Sequence, residues 1–196
     1  MKRVLVVLLL ALCCICILTA EEKEKGPFGT KWLSSKEEVE EVGDLSVLKD
    51  YGDYTLYSFV PQKGHSAFKS YGMVIVKDVG MVKILATGSD ISCTGYGTAL
   101  KSAYSDMKNS LIKSYGPVTK EYDFNTSSVW KDADDWMYSL YLGYRFLSCY
   151  WEFDNYSVYL DANASSSSIG YITLIYEHNK WGEFLDKKSA GEDNNL

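Results

Sequence analysis

Residues 98–115, TALKSAYSDMKNSLIKSY, carry the strongest helix pattern of the sequence and separate two groups of strand-forming segments. Apolar side chains recur there at steps of three and four residues, which is typical of a helix with one buried face. Those side chains are Leu100, Ala103, Tyr104, Met107, Leu111 and Tyr115. The helix is predicted to end at Tyr115, because Gly116 can adopt a left-handed cap and Pro117 cannot continue the helical hydrogen bonds.

Segments that favour β-strands lie on the N-terminal side of this helix. They are rich in aromatic and β-branched residues and cover residues 54–60, 72–77 and 81–87. The last two flank Asp78-Val79-Gly80, so they are predicted to form a hairpin. A short helix is expected before them, because Ser34 with Glu37, or Ser35 with Glu38, matches a capping box.

A second group of segments follows the helix. Asp134 and Asp135 are placed to begin a third helix, although a strand is also open there, and residues 127–130 are a candidate short strand. Three antiparallel strands are predicted at residues 146–153, 156–161 and 170–177. Helices and antiparallel strands that alternate in blocks predict an α+β fold, with two or three helices packed on one face of the sheet. An arrangement as two fused helix-then-strands halves stays open.

The N-terminal residues have the order of a secretory signal. Lys2 and Arg3 precede an uncharged apolar stretch, and Ala20 is followed by a charged run. The chain therefore divides into a signal peptide or N-terminal anchor (1–20), a charged linker (21–27), a single α+β domain (28–181) and a flexible tail (182–196). Cleavage, lipidation of a cysteine and retention as an anchor remain open. All three predict an exported protein in the periplasm, the cell envelope or the extracellular space.

The charge balance excludes one class of partner. The chain has 20 basic and 26 acidic residues, for a net charge of −6, and two of the basic residues belong to the N-terminal segment. Nucleic-acid affinity depends mainly on basic charge, so no nucleic-acid partner is expected. A membrane contact is expected only through residues 1–20, if they are retained.

The sequence contains no recognisable catalytic or metal-binding spacing. Its two histidines, His65 and His178, are far apart along the chain, and neither belongs to a nucleophile elbow or a zinc-binding pattern. We therefore expect no catalytic residues, no metal and no cofactor. This favours a non-enzymatic role without deciding the question.

Two cysteines, Cys93 and Cys149, lie outside the N-terminal segment. An even pair in an oxidising compartment permits one disulfide. The alternative is two buried thiols that act as small apolar groups.

Aromatic residues give the main hint of binding. The chain has 16 Tyr, 7 Phe and 5 Trp, and many fall on predicted strands. If one sheet face is exposed, alternate aromatic side chains reach solvent and can contact a partner. The predicted binding residues are Tyr57, Phe59, Tyr156, Tyr159 and Tyr171. The alternative is that these side chains only stabilise the sheet through cross-strand pairs.

The order of several short motifs resembles a group of small exported bacterial proteins of unknown function. The resemblance rests on Phe28-Gly29-Thr30-Lys31-Trp32 before Ser35-Lys36-Glu37-Glu38-Val39, on Ser114-Tyr115-Gly116-Pro117, and on Trp130, Trp151 and residues 172–176. The first of these matches a Trp-x-x-Ser-x-x-Glu-Val entry helix, and Tyr115-Gly116-Pro117 resembles a Tyr-Gly-x-Pro helix end. The predicted architecture is also distantly similar to modules of envelope assembly lipoproteins and of β-lactamase inhibitory proteins. Such likeness implies a fold and no catalytic residues.

The sequence thus predicts an exported, non-enzymatic domain that binds another envelope or extracellular protein. A secreted hydrolase with an unrecognised site is one alternative. An enzyme inhibitor that acts through a protruding loop, at residues 61–71 or 161–170, is the other.

Overall fold

The computed structural model describes residues 24–193, and nine strands of this part of the chain form one antiparallel sheet. The strands are β1 (Gly43–Asp50), β2 (Tyr54–Pro61), β3 (Phe68–Val76), β4 (Gly80–Gly88), β5 (Ile91–Ser92), β6 (Lys120–Asn125), β7 (Arg145–Glu152), β8 (Tyr156–Ser166) and β9 (Ile169–His178). The fold is α+β, as the sequence predicts. The predicted signal or anchor at residues 1–20 lies outside the described residues.

The sheet consists of two four-stranded meanders joined side by side. Its order is β1-β2-β3-β4-β9-β8-β7-β6, and the short β5 pairs with β9. The last strand of each meander therefore lies at the centre, where Leu85 of β4 faces Ile175 of β9. Each meander is preceded by a helix, so the chain has the helix-then-strands order twice.

Four α-helices belong to the described residues: α1 (Lys36–Glu40), α2 (Thr98–Tyr115), α3 (Trp136–Tyr141) and α4 (Asn179–Asp193). The bounds of α2 are those predicted from its apolar pattern. The capping box of α1 uses Ser35 and Glu38: the Ser35 backbone N–H donates to the Glu38 carboxylate at 2.7 Å, and the Glu38 N–H donates to the Ser35 hydroxyl at 3.3 Å. None of these helices has the length and apolar character needed to span a membrane.

The main core lies between α2 and one face of the sheet, here called the inner face. Leu100, Tyr104, Met107 and Leu111 of α2 are buried, and they belong to one cluster with Leu160 of β8. Burial of each such side chain contributes about 1.5–3 kcal/mol to stability. The predicted apolar face of α2 is therefore the face that forms the core.

The start of α2 depends on a close backbone contact. Gly97 has φ +65°, and a Cβ at this position would collide with the Trp136 ring of α3. Glycine is required there for both reasons, since an L side chain is strained at this φ and has no space. This contact fixes α3 against the beginning of α2.

The last helix differs from prediction. Residues 182–193, expected in a flexible tail, belong to α4, whose Trp181 and Phe184 pack against Val74, Val76 and Val82. These valines alternate along β3 and β4 with inner-face residues, so they lie on the opposite face, here called the outer face. The additional helix α4 therefore lies on the outer face, because its aromatic side chains cover this second apolar cluster.

Three strands, β1, β5 and β6, were missed, and one predicted strand is wrong. β1 and β6 form the two edges of the sheet, and their charged residues hide the alternation that identifies a strand. Residues 127–130, predicted as a strand, form a turn instead. In it the Ser127 N–H donates to Asn125 Oδ1 at 2.9 Å, and the Trp130 N–H donates to the Ser127 hydroxyl at 2.9 Å.

Candidate binding surface on the outer sheet face

The outer face of β6–β9 carries a group of aromatic side chains. Along these strands they alternate with core residues such as Leu147, Leu160 and Leu174, which places them on the side opposite α2 and α3. We call this group the aromatic surface: Tyr122, Phe124, Phe146, Tyr150, Tyr159 and Tyr171.

The rings of the aromatic surface stack on one another across the strands. The Phe124 and Phe146 ring centroids are 4.9 Å apart with planes inclined by 23°. Tyr150 stacks in the same way on Tyr122 at 6.5 Å and on Tyr159 at 6.4 Å. The ring faces are therefore turned toward neighbouring rings, and the ring edges are left for other contacts.

The edge of this surface is apolar and open to solvent. Phe124 is 44% exposed and Phe146 is 43% exposed. Adjacent exposed phenylalanines form an apolar patch, and contiguous apolar patches normally mark a contact site. Leu85 of β4, 36% exposed, extends the apolar character toward the other meander.

A carboxylate lies in the middle of the aromatic surface. Asp161 of β8 is directly opposite Ser148 of β7 on one side and Thr173 of β9 on the other. Its own strand places Tyr159 and Asn163 beside it on the same face. The residues paired with Asp161 across the neighbouring strands are therefore polar. The next outer-face positions along the strands, on either side of this row of paired residues, include aromatic side chains.

The neighbours of Asp161 form hydrogen bonds with one another. The Tyr159 hydroxyl donates to the Ser148 hydroxyl at 3.1 Å, and the Asn163 amide donates to the Thr173 hydroxyl at 3.0 Å. Among the described residues, the Asp161 carboxylate has neither a hydrogen bond nor an ion pair. Burial raises the pKa of Asp161 to about 6, because desolvation disfavours the charged form.

An apolar groove continues the outer face beside α4. It has a volume of about 360 Å³ and is lined in part by Leu48, Leu56, Val74, Leu85 and Trp181. Leu48 on the edge strand β1 is 66% exposed. Apolar side chains thus lie on the outer face of both meanders, but α4 covers part of this face only in the first.

The structure separates the predicted binding residues into two groups. Tyr159 and Tyr171 lie on the aromatic surface, whereas Tyr57 and Phe59 are buried in the inner core at 8% and 1% exposure. Tyr156 also lies on the inner face, where its ring is 4.7 Å from that of Phe153. Inner and outer positions are both aromatic in this protein, so composition alone does not identify the exposed face.

Sequence reasoning missed most of the aromatic surface. Tyr122 and Phe124 lie on β6, which was not predicted as a strand. Phe146 and Tyr150 alternate with Cys149 and Trp151, which are buried. Only the contact with α2 and α3 shows which of the two alternating sets faces the core.

One histidine lies at a groove with serines and a carboxylate. His65, Ser66, Ser89, Asp106 and Ser110 line part of a groove of about 410 Å³ beside α2. The His65 Nδ1 accepts a hydrogen bond from the Ala67 N–H at 3.1 Å. Among the described residues, His65 makes no hydrogen bond to a serine hydroxyl or to Asp106, so a nucleophile–base pair is not formed.

The second histidine lies elsewhere, at the junction of β9 and α4. His178 is 7% exposed, its ring is 5.4 Å from Trp32, and its Nδ1 accepts a hydrogen bond from the Lys180 N–H at 3.1 Å. Burial lowers the pKa of His178. The described residues contain no group of three or more His, Cys, Asp and Glu side chains that could hold a metal ion.

The two cysteines predicted as a disulfide candidate are free thiols in the structure. Cys149 points from β7 into the inner core, and burial raises the pKa of its thiol. Cys93 follows β5, and its Sγ lies 3.5 Å from the Ile91 carbonyl oxygen. The reading of both as small apolar groups agrees with this arrangement, because both contribute to the core cluster.

Comparison of the chain with protein-family models, with curated proteins and with solved structures finds no match. The resemblance to small exported bacterial proteins therefore stays a prediction.

Proposed function

We propose that this chain is an exported, non-enzymatic domain that binds another envelope or extracellular protein through the aromatic surface. The observation that carries the proposal is the pair of stacked phenylalanines, Phe124 and Phe146, which remain more than two-fifths exposed at the edge of a tyrosine-rich sheet face. Among residues 24–193, no helix packs on this part of the outer face. Aromatic side chains of this kind are enriched at the centres of protein interfaces.

The stacking of the rings favours a protein partner over a sugar. A sugar ring stacks on an exposed aromatic face, but here the faces of Tyr122, Tyr150 and Tyr159 are turned toward one another. Ring edges are left for other contacts, and these suit the contacts of a protein surface. The acidic charge of the chain adds a preference for a partner with basic residues at the contact.

The compartment is inferred from the N-terminal sequence alone. The basic start, the apolar stretch and Ala20 support export to the periplasm, the cell envelope or the extracellular space. Intact-mass measurement of the protein from its producing cells distinguishes cleavage after Ala20, acylation of a cysteine and retention of the whole segment. A protein that remains in the cytoplasm with Met1 intact would contradict the proposed export.

The binding surface is tested by site-specific photo-crosslinking in the producing organism. A photoreactive phenylalanine analogue replaces Phe124 or Phe146 in separate strains, and Tyr96, which is 53% exposed outside this surface, serves as the matched control. We expect one partner band from both surface positions and not from the control. Equal labelling at all three positions, or no labelling at positions 124 and 146, would refute this surface as the interface.

A hydrolase is the second candidate, and the groove beside α2 is the observation in its favour. The groove brings His65 together with serines and Asp106, which is the set of residue types that acyl transfer uses. A panel of ester and peptide substrates with the His65→Ala variant as control tests it. Turnover that depends on His65 would establish the hydrolase, and equal background in both proteins would remove it.

Of the two loops considered for an enzyme inhibitor, residues 61–71 and 161–170, only the first stays a candidate. β8 extends to Ser166 and β9 begins at Ile169, so residues 161–170 form a tight hairpin and not a protruding loop. The loop between β2 and β3 is longer, and the Tyr71 hydroxyl anchors it by accepting from the His65 N–H at 2.8 Å. Shortening that loop should abolish inhibition of a target enzyme if this reading is correct.

A further inference from the structure

Asp161 is a carboxylate for which the part of the chain that the structure describes supplies no counter-charge. The side chains opposite it, Ser148 and Thr173, are neutral and bond to Tyr159 and Asn163. A half-buried carboxylate without a partner costs stability. A cost of this kind at the centre of an exposed surface marks a candidate contact position.

The other charges of this face do not satisfy Asp161. Lys83 and Glu177 pair with each other at 2.6 Å. Lys120 lies on the edge strand with its ammonium 4.9 Å from the centre of the Tyr122 ring, and Glu152 has the same sign as Asp161. The titratable groups that face Asp161 from β7, β8 and β9 are the hydroxyls of Tyr150, Tyr159 and Tyr171.

We propose that Asp161 receives an arginine side chain of the protein that binds the aromatic surface. The inference rests on the proposed function and specifies the chemistry of its partner. A guanidinium group matches a carboxylate with two parallel hydrogen bonds. A lysine ammonium cannot form this two-pronged contact.

The interaction requires the ionised form of Asp161. Because arginine stays protonated at every pH used for such measurements, the pH dependence comes from the carboxylate. With a pKa of about 6, the ionised fraction of Asp161 falls about tenfold between pH 7 and pH 5. Binding of an arginine probe should therefore weaken about tenfold over that range, and bound arginine should lower the pKa of Asp161.

The experiment is an NMR titration of the purified protein with three short peptides. They are acetyl-Gly-Arg-Gly amide, its citrulline analogue, which has nearly the same shape without the charge, and its lysine analogue. The arginine peptide should shift the carboxyl resonance of Asp161 and the ring resonances of Tyr159. Asp161→Asn should abolish these shifts, whereas Asp44→Asn, on the edge strand β1, should leave them unchanged.

Several results would overturn the inference. Equal shifts with the citrulline or lysine peptide, or no shift at Asp161 up to the solubility limit of the arginine peptide, would show that no arginine site exists. Sedimentation showing a dimer that buries Asp161 would assign the surface to a second copy of the chain. Crosslinks from position 124 together with an unresponsive Asp161 would preserve the proposed function and refute only the arginine. Arginine binding at Asp161 without crosslinks from position 124 would preserve the arginine site and refute the aromatic surface as the protein interface.

Discussion

Replacing Asp161 with Asn should stabilise the protein at neutral pH and leave its stability at low pH unchanged. Burial raises the pKa of this carboxyl group from 3.8 to about 6. Between these two values the folded state holds more protons at this site than the unfolded state, so stability falls as pH rises through the window. Asn cannot ionise, so the variant should lose this part of the pH dependence.

The size of the effect follows from the pKa shift. A shift of one unit corresponds to about 1.4 kcal/mol, so about two units set an upper limit of about 3 kcal/mol above pH 6. Asp161 is only half-buried, and solvent screening reduces the effect. We expect the Asn variant to be about 1–2 kcal/mol more stable at pH 7 and equal to the native protein below pH 4.

Urea denaturation at a series of pH values from 4 to 8 measures this difference. The native protein and the Asp161→Asn variant should diverge as pH rises, with most of the divergence between pH 4 and 6. Asp44→Asn, a change of the same type at an exposed position, should follow the native protein. Parallel profiles of the native protein and the Asp161→Asn variant would refute the assigned burial of this carboxylate.

Three further changes test the packing. Gly97→Ala should cost about 2–4 kcal/mol in urea denaturation, because it combines a positive φ with a collision against the Trp136 ring. Leu100→Ala should cost about 2–5 kcal/mol in the same assay, because this side chain is fully buried in the main core. Trp181→Ala should speed amide hydrogen exchange throughout α4, whereas Leu185→Ala, at a position 43% exposed, should change it little.

The parts of the fold that the sequence predicts are those with a strong periodic pattern. The apolar positions of α2 recur over five turns, so its bounds and its buried face follow from spacing alone. The hairpin of β3 and β4 follows from two β-branched segments around Asp78-Val79-Gly80. Local signals suffice in both cases, because the buried face of each segment is apolar without interruption.

The elements that were missed depend on contacts between distant segments. The edge strand β6 has the sequence KEYDFN and is held by pairing with β7, 20 or more residues away in the chain. The helix α4 contains glycine residues and many polar ones, and is fixed by Trp181 and Phe184 against Tyr54 and three valines. Weak intrinsic preference is overridden by tertiary contacts in both elements.

The candidate site was only partly predictable for a related reason. An aromatic surface was expected, but the assignment of each ring to the core or to solvent depends on which face the helices cover. Phe59 and Tyr159 have similar strand contexts in the sequence, yet one is buried and the other lies on the outer face. The proposal for Asp161 depends on its neighbours across β7, β8 and β9, which the sequence alone does not show.

The two meanders provide an internal comparison for the outer face. In the first, the outer positions under α4 are the aliphatic Val74, Val76 and Val82, at 7%, 2% and 0% exposure. The protein thus covers an outer apolar cluster with its own helix where that cluster consists of valines. In the second, the outer positions include six tyrosines and phenylalanines, and these are not covered by a helix of the described residues. Side chains with polar tips and exposed ring edges suit a surface that is solvated alone and buried in a complex, so the contrast between the halves supports the second as the binding half.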